Sequence, residues 1–452
     1  MPATQREVFT SYDPVHHDLL RRLADARLRT DDLFAVVKPE FLYDRPIAER
    51  HRIVFYIGHL EAFDWNLFHA RVLGLKSFHP EFDRLFAFGI DPVGGGLPTD
   101  QPADWPSFTA VRDYVRRIRA LLDEKLADAL SGSDLPSADG FPLGTLLNVA
   151  IEHRLMHAET LAYMLHQLPL DRTVSLRESL DVVSSPVSHR CIDIPAGSVT
   201  LGLSRDSGLF GWDNEYESHT VDVAEFSIDQ YQVTNRQYLE FMQAGGYDTP
   251  TFWGDAGNAD WDWKSVHGIS HPAFWKRQGS QWLYRTMFAE IPLPPDWPVY
   301  VSQAEAKAYA RWAGKRLPTE AEWQRAAYGT PRGDEPTYPW GTNEPAEQFG
   351  NFDFQRWSPA PVNAFPQGQS AFGMHGMLGN GWEWTSTEFA PFPGFEPFPF
   401  YRGYSADFFD GKHFVLKGGS ARTAACMLRS TFRNWFQSHY QFAYTGFRCI
   451  SL

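Results

Sequence analysis

The pattern of apolar and polar positions divides the chain into two textures. Up to about residue 170, apolar residues recur at the three- and four-residue intervals of a helix face. The stretch Asp13 to Leu28 is charged and leucine-rich, and Ile47 to Leu73 follows it, with Pro46 placed as a helix starter. Phe108 to Leu130 sets Val111, Val115, Ile118, Leu121, Leu122 and Leu126 on one stripe, and Leu143 to Leu168 is a fourth segment of the same kind. Four such segments predict a four-helix bundle. The run Phe88 to Pro98 is too rich in glycine and proline for a helix. It is expected to be a loop, either lying over a ligand site or simply connecting two helices.

From Val182 onward, proline, glycine, tryptophan and short strand-like runs dominate. The helical exceptions are Asn235 to Ala244 and Ser302 to Tyr328, the second a capped helix-turn-helix interrupted at Gly314 and Pro318. This half reads as a loop-rich α+β domain. The expected fold class is thus an α domain followed by an α+β domain, residues 1–175 and 185–452, with the change between Leu170 and His189.

Composition narrows the function classes. A chain of 452 residues exceeds one ordinary core and suits two domains. The net charge of −14 argues against nucleic acid or an anionic membrane as partner. The three cysteines, Cys191, Cys426 and Cys449, have no short pairing spacing, so neither a disulfide framework nor a cysteine-based zinc site is expected. With no signal-like N-terminus and no apolar run of spanning length, a cytoplasmic location is expected.

The chemistry concentrates in the fourth helical segment. His153 and His157 are four residues apart, so on a helix both imidazoles reach one side and can share a metal ion. Glu159, two positions on, is expected to ligate that metal or to orient a ligating histidine with its carboxylate. The third ligand is expected to be His59, whose neighbours Phe55, Tyr56 and Phe63 turn it toward a core where its polar nitrogens need partners. His51 and His69 read as solvated. Three histidines from two helices leave coordination positions open, which is a catalytic arrangement.

The runs Ile194-Pro195-Ala196-Gly197, Val233-Thr234-Asn235, Gly314 to Trp323, Gly379 to Thr385, Gly418-Gly419-Ser420 and Gly446 to Cys449 resemble the formylglycine-generating-enzyme-like (sulfatase-modifying factor) domain, a C-type-lectin-related fold. The first half, with His153, His157 and Glu159 in an HxxxHxE motif, resembles the metal-binding DinB-like bundle. Fused in this order, the halves resemble the ergothioneine-biosynthesis sulfoxide synthases (hercynine oxygenases) and their selenoneine-synthase relatives.

That resemblance implies a non-haem iron(II) held by His59, His153 and His157. It implies three small-molecule partners: hercynine, a thiol or selenol donor, and O2. The chalcogen would be joined to the imidazole C2 of hercynine, with the second domain roofing the cavity. Phe432-Arg433-Asn434-Trp435 matches the family's FRNW run, so Asn434 and Trp435 are expected to bind hercynine, Trp435 by cation–π attraction to its trimethylammonium. Tyr401-Arg402-Gly403-Tyr404 matches the paired-tyrosine run, with Tyr401 the expected proton donor and Tyr404 in support. A structural Ca2+ in the second domain is left open.

Two departures bear on the donor. Family members using γ-glutamylcysteine carry an acidic residue directly after FRNW and an arginine shortly beyond, where this chain has Phe436 and Tyr440. The position before the second bundle histidine, often glutamine in that branch, is Met156. Cysteine or a selenosugar is therefore expected ahead of γ-glutamylcysteine, with Met156 and Phe436 beside the substrates. The alternatives are a zinc-stabilised lectin-like binding module without catalysis, a zinc-dependent thiol transferase, and a formylglycine-generating activity. The last would need a copper-binding cysteine pair.

Overall fold

The computed structural model describes residues 14–88, 97–131, 137–138, 140–174, 180, 186–254 and 257–452. Contacts divide the chain into two compact units. One comprises the residues up to Phe34 together with Leu42–His157, and the other comprises Ala35–Phe41 together with Ala158–Leu452.

The first unit is built on four long helices, α1 (Pro14–Phe34), α2 (Ile53–Phe68), α4 (Phe108–Leu130) and the part of α5 (Leu143–Leu165) up to His157, with a short α3 (Pro80–Phe88) inserted before α4. In the expected stripe of α4, Val111, Ile118, Leu122 and Leu126 are buried while Val115 and Leu121 at its edges are half-buried, and Ser107 caps the helix through Ala110 N. Helix α2 starts later than expected, at Ile53 and not near Pro46. The side chain of Arg52 explains the delay. Its guanidinium donates to Asp100 Oδ2 (2.7 Å) and to the Tyr43 carbonyl (2.8 Å), which holds the preceding segment as turns.

Helix α3 was not visible in the hydrophobic pattern. It is fixed by Asp83, whose carboxylate accepts from Trp65 Nε1 of α2 (3.2 Å) and Tyr114 Oη of α4 (2.7 Å). Most of the Gly- and Pro-rich run expected to form a loop, residues 89–96, lies outside the described residues.

The second unit contains two four-stranded sheets. One runs in the order Lys315–Arg316, Ile450–Ser451, Phe226–Asp229, Cys191–Ile194, all antiparallel. The other runs Asn434–Gln437, His413–Lys417, Trp382–Glu388, Thr445–Gly446, with only the last pairing parallel. The expected helix-turn-helix is present as Gln303–Trp312 and Glu320–Tyr328, each opened by a capping box, Ser302 with Glu305 and Thr319 with Glu322.

The motifs that carried the resemblance hold this fold together. Arg448 and Glu383 form a fully buried bidentate pair with both bonds at 2.7 Å, and Glu383 also accepts from Trp323 Nε1 at 2.9 Å. Asn380 adopts a left-handed backbone and exchanges side-chain hydrogen bonds with the Ala360 main chain. Arg433, inside the FRNW run, is paired with Glu320 through two bonds of 2.9 and 3.1 Å, so that arginine is structural.

Candidate metal centre

His59 on α2 and His153 and His157 on α5 converge, with one nitrogen from each lying within 4.8 Å of the others. They are the one group of three or more potential metal-ligating side chains gathered in this way among the described residues. Each imidazole lies against an aromatic ring. Phe55 stacks on His59 at 4.8 Å, Phe63 on His153 at 3.5 Å, and Tyr56 lies 5.8 Å from His157. Such walls restrict the rotamers and hold the nitrogens in place.

The hydrogen-bond pattern assigns a tautomer. His59 Nδ1 is 2.7 Å from the Phe86 carbonyl, which can only accept, so Nδ1 carries the proton and Nε2 presents a lone pair. That Nε2 faces His157 Nε2 at 3.2 Å. Two imidazole nitrogens about 2.1 Å from one ion at near-tetrahedral angles stand about this far apart. His157 Nδ1 is buried with no hydrogen-bond partner among the described residues, which is costly unless something else satisfies the ring. Burial lowers the pKa of His59 to about 4, and burial also takes His153 and His157 well below the ordinary imidazole value. All three are therefore neutral near pH 7, the form that ligates metal. The donor set fits a divalent transition metal with open positions.

Glu159 requires a correction. It neither joins the triad nor orients a histidine. Two residues on a helix turn through about 200°, so its carboxylate leaves the histidine face. It is buried and accepts from Trp382 Nε1 (2.7 Å), Thr423 Oγ1 (2.8 Å) and Ser420 Oγ, all within the second unit. Burial raises its pKa against the pull of those donors.

His51 and His69 are half-buried, not solvated. The ring of His51 lies 4.1 Å from Phe55, and that of His69 is stacked 4.8 Å from Trp65. Met156, half-buried, directly precedes His157 on α5.

In the second unit the paired tyrosines and Trp435 come together. Tyr401 and Tyr404 have ring centroids 5.6 Å apart, Tyr404 stacks on Trp212 at 4.1 Å, and Trp435 lies 5.4 Å from Tyr404. Burial and the nearby Asp213 carboxylate raise the Tyr401 phenol to about 12. Asp213, itself raised to about 6 by burial, accepts from Ser405 Oγ at 2.7 Å and so ties down the tyrosine loop.

The FRNW strand splits its residues between two faces, as any strand must. Trp435 packs on Phe389 at 4.2 Å, on the side of the tyrosines. Phe436 points the other way and stacks on Tyr440 at 4.9 Å, with Tyr163 edge-on to both. Asn434 Oδ1 accepts from Trp435 N at 2.8 Å. Asn434 and Trp435, both expected to bind hercynine, are therefore neighbours on a strand that turns them to opposite faces. The two positions flagged for the missing charged pair, Phe436 and Tyr440, do meet, as a parallel pair of rings.

A histidine-lined helical bundle followed by a motif-rich α+β unit defines a composite class. Residues 22–161 match the DinB superfamily, and residues 181–451 match the sulfatase-modifying factor enzyme 1-like domain. The hercynine oxygenase of Mycolicibacterium thermoresistibile is 34% identical, over 93% of this chain and 92% of its own. That of Mycolicibacterium smegmatis is 37% identical over 79% and 80% respectively. The formylglycine-generating enzyme of Mycobacterium tuberculosis is 33% identical but matches only 46% of this chain. The chain belongs to the hercynine oxygenase family. Among the described residues, no helix is long and apolar enough to cross a membrane.

Proposed function

We propose that this protein is an O2-dependent synthase that joins sulfur or selenium to the imidazole C2 of hercynine, using iron(II) held by His59, His153 and His157. The observation that carries the reading is the convergence of three neutral imidazoles, His153 buried and His59 and His157 half-buried, in a chain of this family. Bound iron(II) would supply a Lewis-acidic seat for a thiolate or selenolate and a redox path to O2.

The residues then take separate tasks. The three imidazoles bring no negative charge, so the metal's full charge is available to attract an anionic chalcogen. Tyr401, raised to about 12, holds its proton at neutral pH and is the proposed donor, with Tyr404 fixed by its stack on Trp212. Trp435 is the proposed aromatic face for a trimethylammonium group, and Asn434, on the other face of the same strand, is proposed to reach the substrate by its amide. Met156 and the Phe436–Tyr440 stack are the proposed neighbours of the chalcogen donor. Neither ring offers an ion pair to the charged ends of γ-glutamylcysteine, which favours cysteine or a selenosugar.

The test is a product assay by mass. Protein loaded anaerobically with Fe(II) is mixed with hercynine and, separately, cysteine, γ-glutamylcysteine or a selenosugar, then exposed to O2. The reading expects a C2-substituted product with cysteine or the selenosugar and little with γ-glutamylcysteine. No C–S or C–Se product with any donor would overturn it. Turnover of thiols by the zinc form without O2 would establish the transferase alternative, and tightly held zinc with no turnover the binding module.

A further inference from the structure

The helices that carry the histidines also share a buried ionic cluster for which the proposed chemistry has no use. Arg154 directly follows His153 on α5. Leu60 and Glu61 directly follow His59 on α2. The Arg154 guanidinium donates to Glu61 Oε1 (3.0 Å), Asp64 Oδ2 (2.8 Å) and the Leu60 main-chain carbonyl (2.9 Å). The side chains of Arg154 and Glu61 are each 1% exposed and that of Asp64 is 0% exposed.

The cluster extends to the other two long helices. Arg119 of α4 reaches Glu61 at 2.9 Å, and Arg27 of α1 approaches it at 3.9 Å. Ordinary helix packing does not need such a device. A buried ion pair loses in desolvation about what it gains in attraction, and apolar side chains of similar volume would pack these helices as well or better. What charge and direction add is register. The three acceptors lie on one helix within five residues of sequence, and one of them is main chain, so they fit the guanidinium at one axial setting only. A shift of one residue, about 1.5 Å along the axis and about 100° around it, would pull the guanidinium out of this set of bonds. The same shift would carry His153 and His157 away from His59 Nε2.

We propose that Arg154 is a positioning residue for the metal site: by clamping Glu61, Asp64 and the Leu60 carbonyl, it sets the register at which His59 meets His153 and His157. The inference rests on the reading that the triad holds a metal. It is independent of which substrates are joined there.

The test uses the full chain, metal-free, with Co(II) as the probe. Arg154→Lys keeps the charge but cannot span three acceptors. A second variant, Arg154→Met/Glu61→Met/Asp64→Leu, replaces the cluster with apolar packing, in case the lysine variant fails to fold. Folding is read by circular dichroism and thermal melting without metal. Co(II) binding is read by chelator competition and by the visible absorption of the bound ion. Whichever variant folds is expected to bind Co(II) about 10–100-fold more weakly than wild type, the range for residues that orient ligands. It is also expected to show a shifted absorption spectrum. A folded variant with wild-type Co(II) affinity and spectrum, whatever its melting temperature, overturns the proposal. Wild-type protein that binds no Co(II) overturns the metal reading and the proposal together.

Discussion

At the scale of single residues, the tautomer of His59 depends on a carbonyl that the sequence did not advertise. His153 and His157 were legible from their spacing, and His59 from its aromatic neighbours at helical intervals. Phe86 was not, because α3 is nine residues long and adjoins a Gly- and Pro-rich run. One signal was available in Gly58. A glycine inside a helix costs about 1 kcal/mol and usually has a packing reason. Here a Cβ on Gly58 would stand 2.3 Å from the Phe86 ring, so glycine is what allows α3 to approach α2. Gly58→Ala should therefore push α3 away, at about 1–3 kcal/mol of overpacking. It should also weaken metal binding as the Phe86 carbonyl leaves His59 Nδ1. A thermal melt and a metal titration on the same variant check both effects. An alanine variant more stable than wild type would show that the approach is not tight.

At the scale of elements, α5 serves two purposes on two faces. His153 and His157 occupy one. Glu159 and Tyr163, with His166 just past the helix end, recur at four- and three-residue steps on another, and all three belong to the second unit and contact residues within it. The HxxxHxE spelling suggested a single metal motif because it shows adjacency in sequence and hides angle around the helix. Glu159→Ala should strip the acceptor from three buried donors and cost at least about 2 kcal/mol. Metal affinity per folded molecule should change little. A 10–100-fold loss of affinity with unchanged stability would restore Glu159 to the metal's surroundings.

His166 adds a pH signature to the same stripe. Burial, reinforced by the Arg285 charge, lowers its pKa to about 3, so it stays neutral in the folded protein while the unfolded chain takes up a proton below its ordinary value. Its contribution to stability is complete above about pH 6.5. As pH falls from there toward 3, the contribution is lost at up to about 1.4 kcal/mol per pH unit. Melting temperatures of the His166→Gln variant should fall less steeply between pH 7 and 5 than those of wild type. Equal slopes would mean the imidazole is not buried neutral.

At the scale of the whole molecule, the two-part organisation was legible because the switch from helical periodicity to Pro-, Gly- and Trp-rich runs is a change of texture, which survives errors at individual boundaries. The motifs of the second half were legible for a different reason. Glu383, Arg448 and Asn380 satisfy buried polar groups, and buried polar satisfaction tolerates few substitutes. What linear reading missed was facing. It paired Asn434 with Trp435 by adjacency, whereas the strand sends Trp435 to the tyrosines and its neighbours to the other face, where Phe436 meets Tyr440. If the Phe436–Tyr440 stack excludes charged donors, then Phe436→Asp/Tyr440→Arg should raise turnover with γ-glutamylcysteine relative to cysteine, read as the ratio of products by mass. An unchanged ratio would place donor choice elsewhere.

Everything proposed for this site depends on three imidazoles from two helices holding one redox-active iron. The most direct test is the iron content of protein loaded anaerobically with Fe(II) and desalted, for wild type and for His59→Ala, His153→Ala and His157→Ala, each checked for folding by circular dichroism. One iron per wild-type chain is expected, and little or none in each folded variant. Iron retained at wild-type stoichiometry by the folded variants, or a wild-type chain that takes up no iron, would contradict it.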